Sequence, residues 1–129
     1  MSKSANAGEL RTAVYFKVIA RDYTEKGRPV ENEVNLFGQA EDGKDIPVMC
    51  KWVNAHGTDV YAAMQLQLRD PATITTRYSP LLADEEKARQ TMIVYRGASA
   101  TPYEVISVDD VEDRHVWLEI KVQRRVPAR

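Results

Sequence analysis

The last third of this chain constrains its fold more than any other part. Three short runs follow one another: Thr91-Met92-Ile93-Val94-Tyr95-Arg96-Gly97, then Tyr103-Glu104-Val105-Ile106-Ser107-Val108-Asp109-Asp110, then Arg114-His115-Val116-Trp117-Leu118-Glu119-Ile120-Lys121-Val122. Each is rich in β-branched and aromatic residues, and turn residues separate them, which is the signature of antiparallel strands. Gly97 to Pro102 joins the first pair and Asp109 to Asp113 the second.

Upstream, the same period of two recurs. Val14, Phe16, Val18 and Ala20 alternate with Tyr15, Lys17, Ile19 and Arg21, the pattern of a half-buried strand from Leu10 to Arg21. Val48, Cys50 and Trp52 alternate with Met49, Lys51 and Val53, and Ile74, Thr76 and Tyr78 with Thr73, Thr75 and Arg77. Between them, Val60 to Arg69 has helical spacing at Val60, Ala63, Met64 and Leu68, with Thr58 and Asp59 as N-cap types and Asp70-Pro71 as the stop. Asp84 to Arg89 reads as one helical turn. Asp22 to Asp45, punctuated by Gly27, Pro29, Gly38 and Gly43, reads as a long loop or hairpin with a short strand around Val34 and Leu36. Segments of that length without structure are uncommon unless they have a task. The expected fold is mainly β: a small antiparallel β-barrel of six to seven strands with one short helix and long loops. Closure removes the strand edges that so many short strands would otherwise expose.

A length of 129 residues with 43% hydrophobic content fits one domain spanning the whole chain, with its own core. Residues 1–8 and 124–129 are expected to be flexible tails. The 18 basic and 19 acidic residues leave a net charge of −1, so no global excess advertises nucleic acid or a nucleic-acid mimic. The single cysteine, Cys50, permits no intramolecular disulfide and reads as a small buried hydrophobe. No apolar run reaches membrane length, and Met1 to Ala7 lacks the apolar segment of a secretion signal, so the cytoplasm is the expected compartment of synthesis.

Chemistry-bearing patterns are sparse. His56, His115 and Cys50 have no metal-ligand spacing, and there is neither a phosphate-binding glycine loop nor a nucleophile elbow. Asp109, Asp110, Glu112 and Asp113 would suit a hard cation but read as a solvated turn, with no calcium-loop signature. Trp52 and Trp117 read as core, His115 as a strand residue, and Arg124, Arg125 and Arg129 as a basic tail open to phosphates or an acidic partner. No catalytic residue, cofactor or metal is assigned, and a binding or assembly module is the expected class.

In order along the chain, several segments resemble the head closure, or head–tail joining, proteins of long-tailed bacteriophages. They are Gly8-Glu9-Leu10-Arg11 leading into Val14-Tyr15-Phe16, the Asp22 and Gly27 turn, Lys51-Trp52-Val53, and Gly57-Thr58-Asp59-Val60-Tyr61-Ala62-Ala63-Met64-Gln65, where Asp59 replaces the commoner Glu. Thr75-Thr76-Arg77-Tyr78, Tyr95-Arg96-Gly97, Tyr103-Glu104-Val105-Ile106 and Arg114 to Ile120 complete the set. The resemblance spans residues 7–123. Asp22–Asp45 is long for the family and Ser79–Gln90 carries extra residues.

The resemblance implies a structural virion protein of the neck. It implies a homo-oligomeric ring, a dodecamer, beneath the portal and its adaptor, with tail terminator or tail tube proteins below and packaged double-stranded DNA in its channel. It implies no membrane partner. The channel-narrowing segment falls on Asn54, Ala55, His56, Gly57, Thr58, Asp59, Val60, Tyr61, Ala62, Ala63, Met64 and Gln65, and extends toward Leu68. Lys51, Arg69 and Arg77 flank it as DNA-facing candidates. Two other readings stay open: a tail completion or terminator component, and a β-barrel binding single-stranded nucleic acid. The last requires Tyr61, Tyr78 and Tyr95 exposed on one basic face.

Overall fold

Strand alternation sets the architecture. In the computed structural model, which describes residues 7–23, 27, 29–55 and 69–125, the elements run β1 (Thr12–Tyr23), β2 (Pro29–Asn35), β3 (Val48–Asn54), β4 (Ala72–Arg77), α1 (Pro80–Ala83), α2 (Glu85–Thr91), β5 (Met92–Arg96), β6 (Tyr103–Asp110) and β7 (Trp117–Arg124). Every pairing is antiparallel. Strands β1, β3, β4, β7, β6 and β5 neighbour one another in that order, and β5 returns to β1, closing a six-stranded barrel with β2 as one extra strand.

In β1, β3 and β4 the inward positions follow the alternation read from the sequence, whereas in β7 they fall on the opposite parity to Trp117. Val14 and Phe16 of β1, Cys50 of β3, Ile74 of β4, Val94 of β5 and Leu118 and Val122 of β7 are wholly buried. Each such aliphatic or aromatic side chain contributes about 1.5–3 kcal/mol of burial free energy. The chain between β4 and β5 is helical in two pieces. Ser79 caps α1 through Oγ, and Asp84 caps α2 by accepting from the Lys87 N–H at 3.1 Å, with Glu85 and Glu86 in the first turn. Leu82 of α1 and Ala88 of α2 are buried in the core. The β5–β6 seam pairs only Ile93–Glu104 and Val94–Tyr103, and α2 packs on β6 beyond it. Gly97, at φ +56, lets the chain turn as its N–H reaches Ala13 O at 2.7 Å, so closure depends on the left-handed conformation there.

Three expectations change. Trp117 is half-buried on the outer face, because the β4 register sets Thr76 opposite Leu118 and Arg77 opposite Trp117; Leu118 is the core residue. His115 lies outside the strand, in the turn before β7 at φ +57, where its backbone N–H donates to Asp110 Oδ1 at 3.0 Å and its ring meets the same carboxylate. Of the two readings left open for Asp22–Asp45, the hairpin holds as far as Asn35: β1 runs on to Tyr23 and β2 returns beside it, from Tyr23–Pro29 to Lys17–Asn35. Arg124 belongs to β7, so the basic C-terminal run starts inside the sheet.

Candidate functional surfaces at the barrel ends

The antiparallel pairings give the barrel two distinct ends. At one end lie Asn54, Ala72, Arg96, Tyr103 and Arg124, all at strand termini. At the other lie the starts of β3, β5 and β7 and the ends of β4 and β6.

The first end is basic around an aromatic plug. Trp52 points into the barrel and packs edge-to-face on Tyr103, with ring centroids 5.0 Å apart. The Arg96 guanidinium lies over its indole at 5.4 Å, a cation–π contact. The Trp52 indole N–H donates to Asn54 Oδ1 at 2.9 Å, which holds both residues at the rim. Arg69 and Arg124 are joined through their backbones: the Arg124 N–H donates to Arg69 O at 2.9 Å, and Arg69 Nε donates to Arg124 O at 3.3 Å. Asp70 pairs with Arg124 at 3.2 Å, and Glu104 lies 3.7 Å from Arg69. Barrel closure thus gathers three arginines from three separate connections, with two carboxylates beside them.

The second end is acidic. Asp109 and Asp110 end β6 there, and Glu112 and Asp113 follow in the turn to β7. Glu85 and Glu86 of α2 lie apart from them, in an open groove shared with Glu104 and Gln123. Ligand atoms of Asp110, Asp113 and His115 lie within 4.8 Å of one another. Asp113 and His115 are exposed, and such exposed acidic groups commonly hold no ion. An apolar groove of about 450 Å³ opens beside this end, lined by Phe37, Ile46, Val48, Met49, Tyr78 and Leu82 among others.

The predicted site residues fall as follows. Asn54 and Ala55 leave β3 at the basic end, with the Ala55 N–H on Pro71 O at 3.0 Å, and Arg69 re-enters at the same end. His56 to Leu68, which hold the rest of the channel-narrowing segment and the expected helix, lie outside the described residues. Lys51 is on β3 and pairs with Glu9 at 3.1 Å. Arg77 stands apart from the other two candidates: it ends β4 at the opposite rim, its guanidinium 6.0 Å from the Trp117 ring centroid. Arg96 was not singled out from sequence, since one arginine at a strand end carries no pattern until the barrel closes over Trp52.

The aromatic platform required for single-stranded nucleic acid is not assembled by the described tyrosines. Tyr78 stacks on His115 at 4.7 Å, beside the acidic turn. Tyr95 donates its hydroxyl to the Glu33 carboxylate at 2.7 Å. Tyr61 lies outside the described residues.

No helix among the described residues is long and apolar enough to cross a membrane. A family model described as phage head completion protein matches residues 5–125 of the chain. No curated protein matches it.

Proposed function

The chain belongs to the phage head completion protein family, and from that membership and the polarity of the barrel we propose that it forms the ring that closes the head at the neck. The family makes it a structural phage head protein that meets other head and tail proteins. In the proposed arrangement, copies form a ring, a dodecamer by family resemblance, beneath the portal and adaptor. The ring retains packaged DNA and offers the tail its docking surface. Before assembly the chain resides in the host cytoplasm.

The observation that carries this reading is that Asn54, Ala55 and Arg69, which bracket residues 56–68, lie at the same barrel end as Arg96 and Arg124. A segment that narrows a DNA channel acts sterically and needs no catalytic group. Arginines at its roots attract phosphates, whereas the acidic rim repels them. Lys51 and Arg69 stay DNA-facing candidates, joined by Arg96 and Arg124; Arg77, at the acidic rim, fits a protein contact better.

A binding competition tests the reading. Purified chain is offered DNA-filled tailless capsids and free tails, and nuclease protection of the packaged DNA is followed. Capsid binding with increased protection supports a head closure ring. Binding to tails alone would instead place the chain as a tail terminator.

A further inference from the structure

We propose that the β1–β2 arm joins neighbouring subunits. The outer edge of β2 in one copy pairs antiparallel with the free edge of β1 at Ile19–Tyr23 in the next. This deepens the ring reading and rests on it.

The register defines two open edges. At Val14, β1 has β3 on one side and β5 on the other; at Lys17 and Val18 it has β2 and β5. Hence β2 and β3 share one edge of β1, and β5 takes the opposite edge. The β5 pairing stops at Val18–Met92, while β1 continues to Tyr23. Among the described residues, Ile19–Tyr23 pair only with Glu33–Pro29, and β2 pairs only with β1. A two-stranded ribbon of about five residues per strand therefore runs roughly 17 Å past the barrel wall with an unpaired edge on each side.

The root of this ribbon is firmly held. Tyr95 Oη bonds Glu33 at 2.7 Å, Lys17 pairs with Asp45 at 3.1 Å, and Asn35 Nδ2 donates to Gly38 O at 2.6 Å and Ile46 O at 2.9 Å. The Leu36 N–H donates to Phe16 O at 2.8 Å. These contacts fix the direction in which the arm leaves the barrel. An isolated two-stranded ribbon is marginal in water, and each open edge is a row of unpaired backbone donors and acceptors.

A second copy of this chain fits those edges. One ribbon offers a β2 edge on one side and a β1 edge on the other. Joining them yields β1-β2-β1-β2, antiparallel throughout, and regenerates the same free edges at each step. Such a heterologous contact repeats until it closes. In sequence β1 brings Arg21 and Asp22 to the arm and β2 brings Glu31 and Glu33, so the arm carries both signs of charge. Pro29, at the start of β2, has no N–H to offer an added strand at that position.

Hydrogen exchange of the full chain tests the pairing, free and after self-association at high concentration or on DNA-filled capsids. The expected result is exchange at least about tenfold slower at amides within 19–23 and 29–34 in the associated form. Adjacent strand N–H groups point to opposite sides, so of Glu31→Pro and Asn32→Pro one removes a donor from the free edge and the other from the β1 side. The free-edge variant is expected to lower self-association at least about tenfold while leaving the barrel folded. Rings whose arm amides exchange at the free rate overturn the pairing but leave the ring reading intact. Protection that appears only with a different head protein also overturns it. A chain that stays monomeric in solution and on capsids overturns both.

Discussion

Tyr95 of β5 donates its hydroxyl to both Glu33 carboxylate oxygens of β2, at 2.7 and 2.8 Å, although the two strands are not neighbours in the sheet. The bond crosses β1, and Lys17 of β1 lies over the same ring at 5.4 Å. It ties the projecting hairpin to the barrel wall.

The Tyr95 phenol is pushed up to about 12 by burial, with the Glu33 hydrogen bond and charge adding to it. A group with a raised folded pKa holds its proton more tightly folded than unfolded. Its stabilising effect is therefore full below the unfolded value, near 10, and is lost as pH rises from there to about 12. Tyr95→Phe should cost about 1 kcal/mol or less at pH 7, since the pair is partly solvated. It should also flatten the alkaline part of a urea stability profile between pH 10 and 12. An unchanged profile would show that Tyr95 does not hold Glu33 in solution.

Cys50 is wholly buried, and burial pushes its thiol up to about 12. Thiolate is the reactive form, so a thiol reagent at pH 8 should modify the native chain only as fast as it unfolds. Modification in urea should be immediate. Rapid modification of the folded chain would mean that the β3–β4 wall opens locally.

Leu118→Ala should destabilise by about 2–5 kcal/mol, because it leaves a cavity in a closed core. Trp117→Ala, one residue away, should cost about 1 kcal/mol through its partial burial and the Arg77 contact. Urea midpoints of the two variants check the register; the reverse order would contradict it.

The Thr76 hydroxyl is fully buried and has no ordinary hydrogen-bond partner, its sulfur neighbour Cys50 being a weak one. Thr76→Val keeps the shape and removes the orphaned polar atom. It should raise stability by about 1 kcal/mol, measured by denaturant titration. A loss of similar size would mean that the hydroxyl is satisfied.

Strand positions were legible in the sequence wherever one face of a strand is buried, as at Val14/Phe16 and Ile74/Thr76, because period two then survives in the residues. Trp117 was not. Val116, Trp117 and Leu118 are consecutive apolar residues, so parity came only from pairing with β4. The β1–β2 arm was legible only as a loop or hairpin, since its strands run on past Val18–Met92, the last pairing of β1 with the barrel wall, and follow no sustained apolar alternation in sequence. The channel-narrowing stretch was chosen by resemblance, and only its roots, Asn54, Ala55 and Arg69, can be placed in the fold. The gathering of Arg69, Arg96 and Arg124 is a product of closure between connections distant in sequence, which local patterns do not encode.

Electron cryo-microscopy of the portal vertex, on DNA-filled tailless capsids with and without added chain, tests the central claim most directly. The account predicts a new ring beneath the portal and adaptor, with density from residues 54–68 across the channel and Arg69, Arg96 and Arg124 turned toward it. A vertex unchanged by the added chain, or a ring with those arginines turned away from the channel, would contradict it.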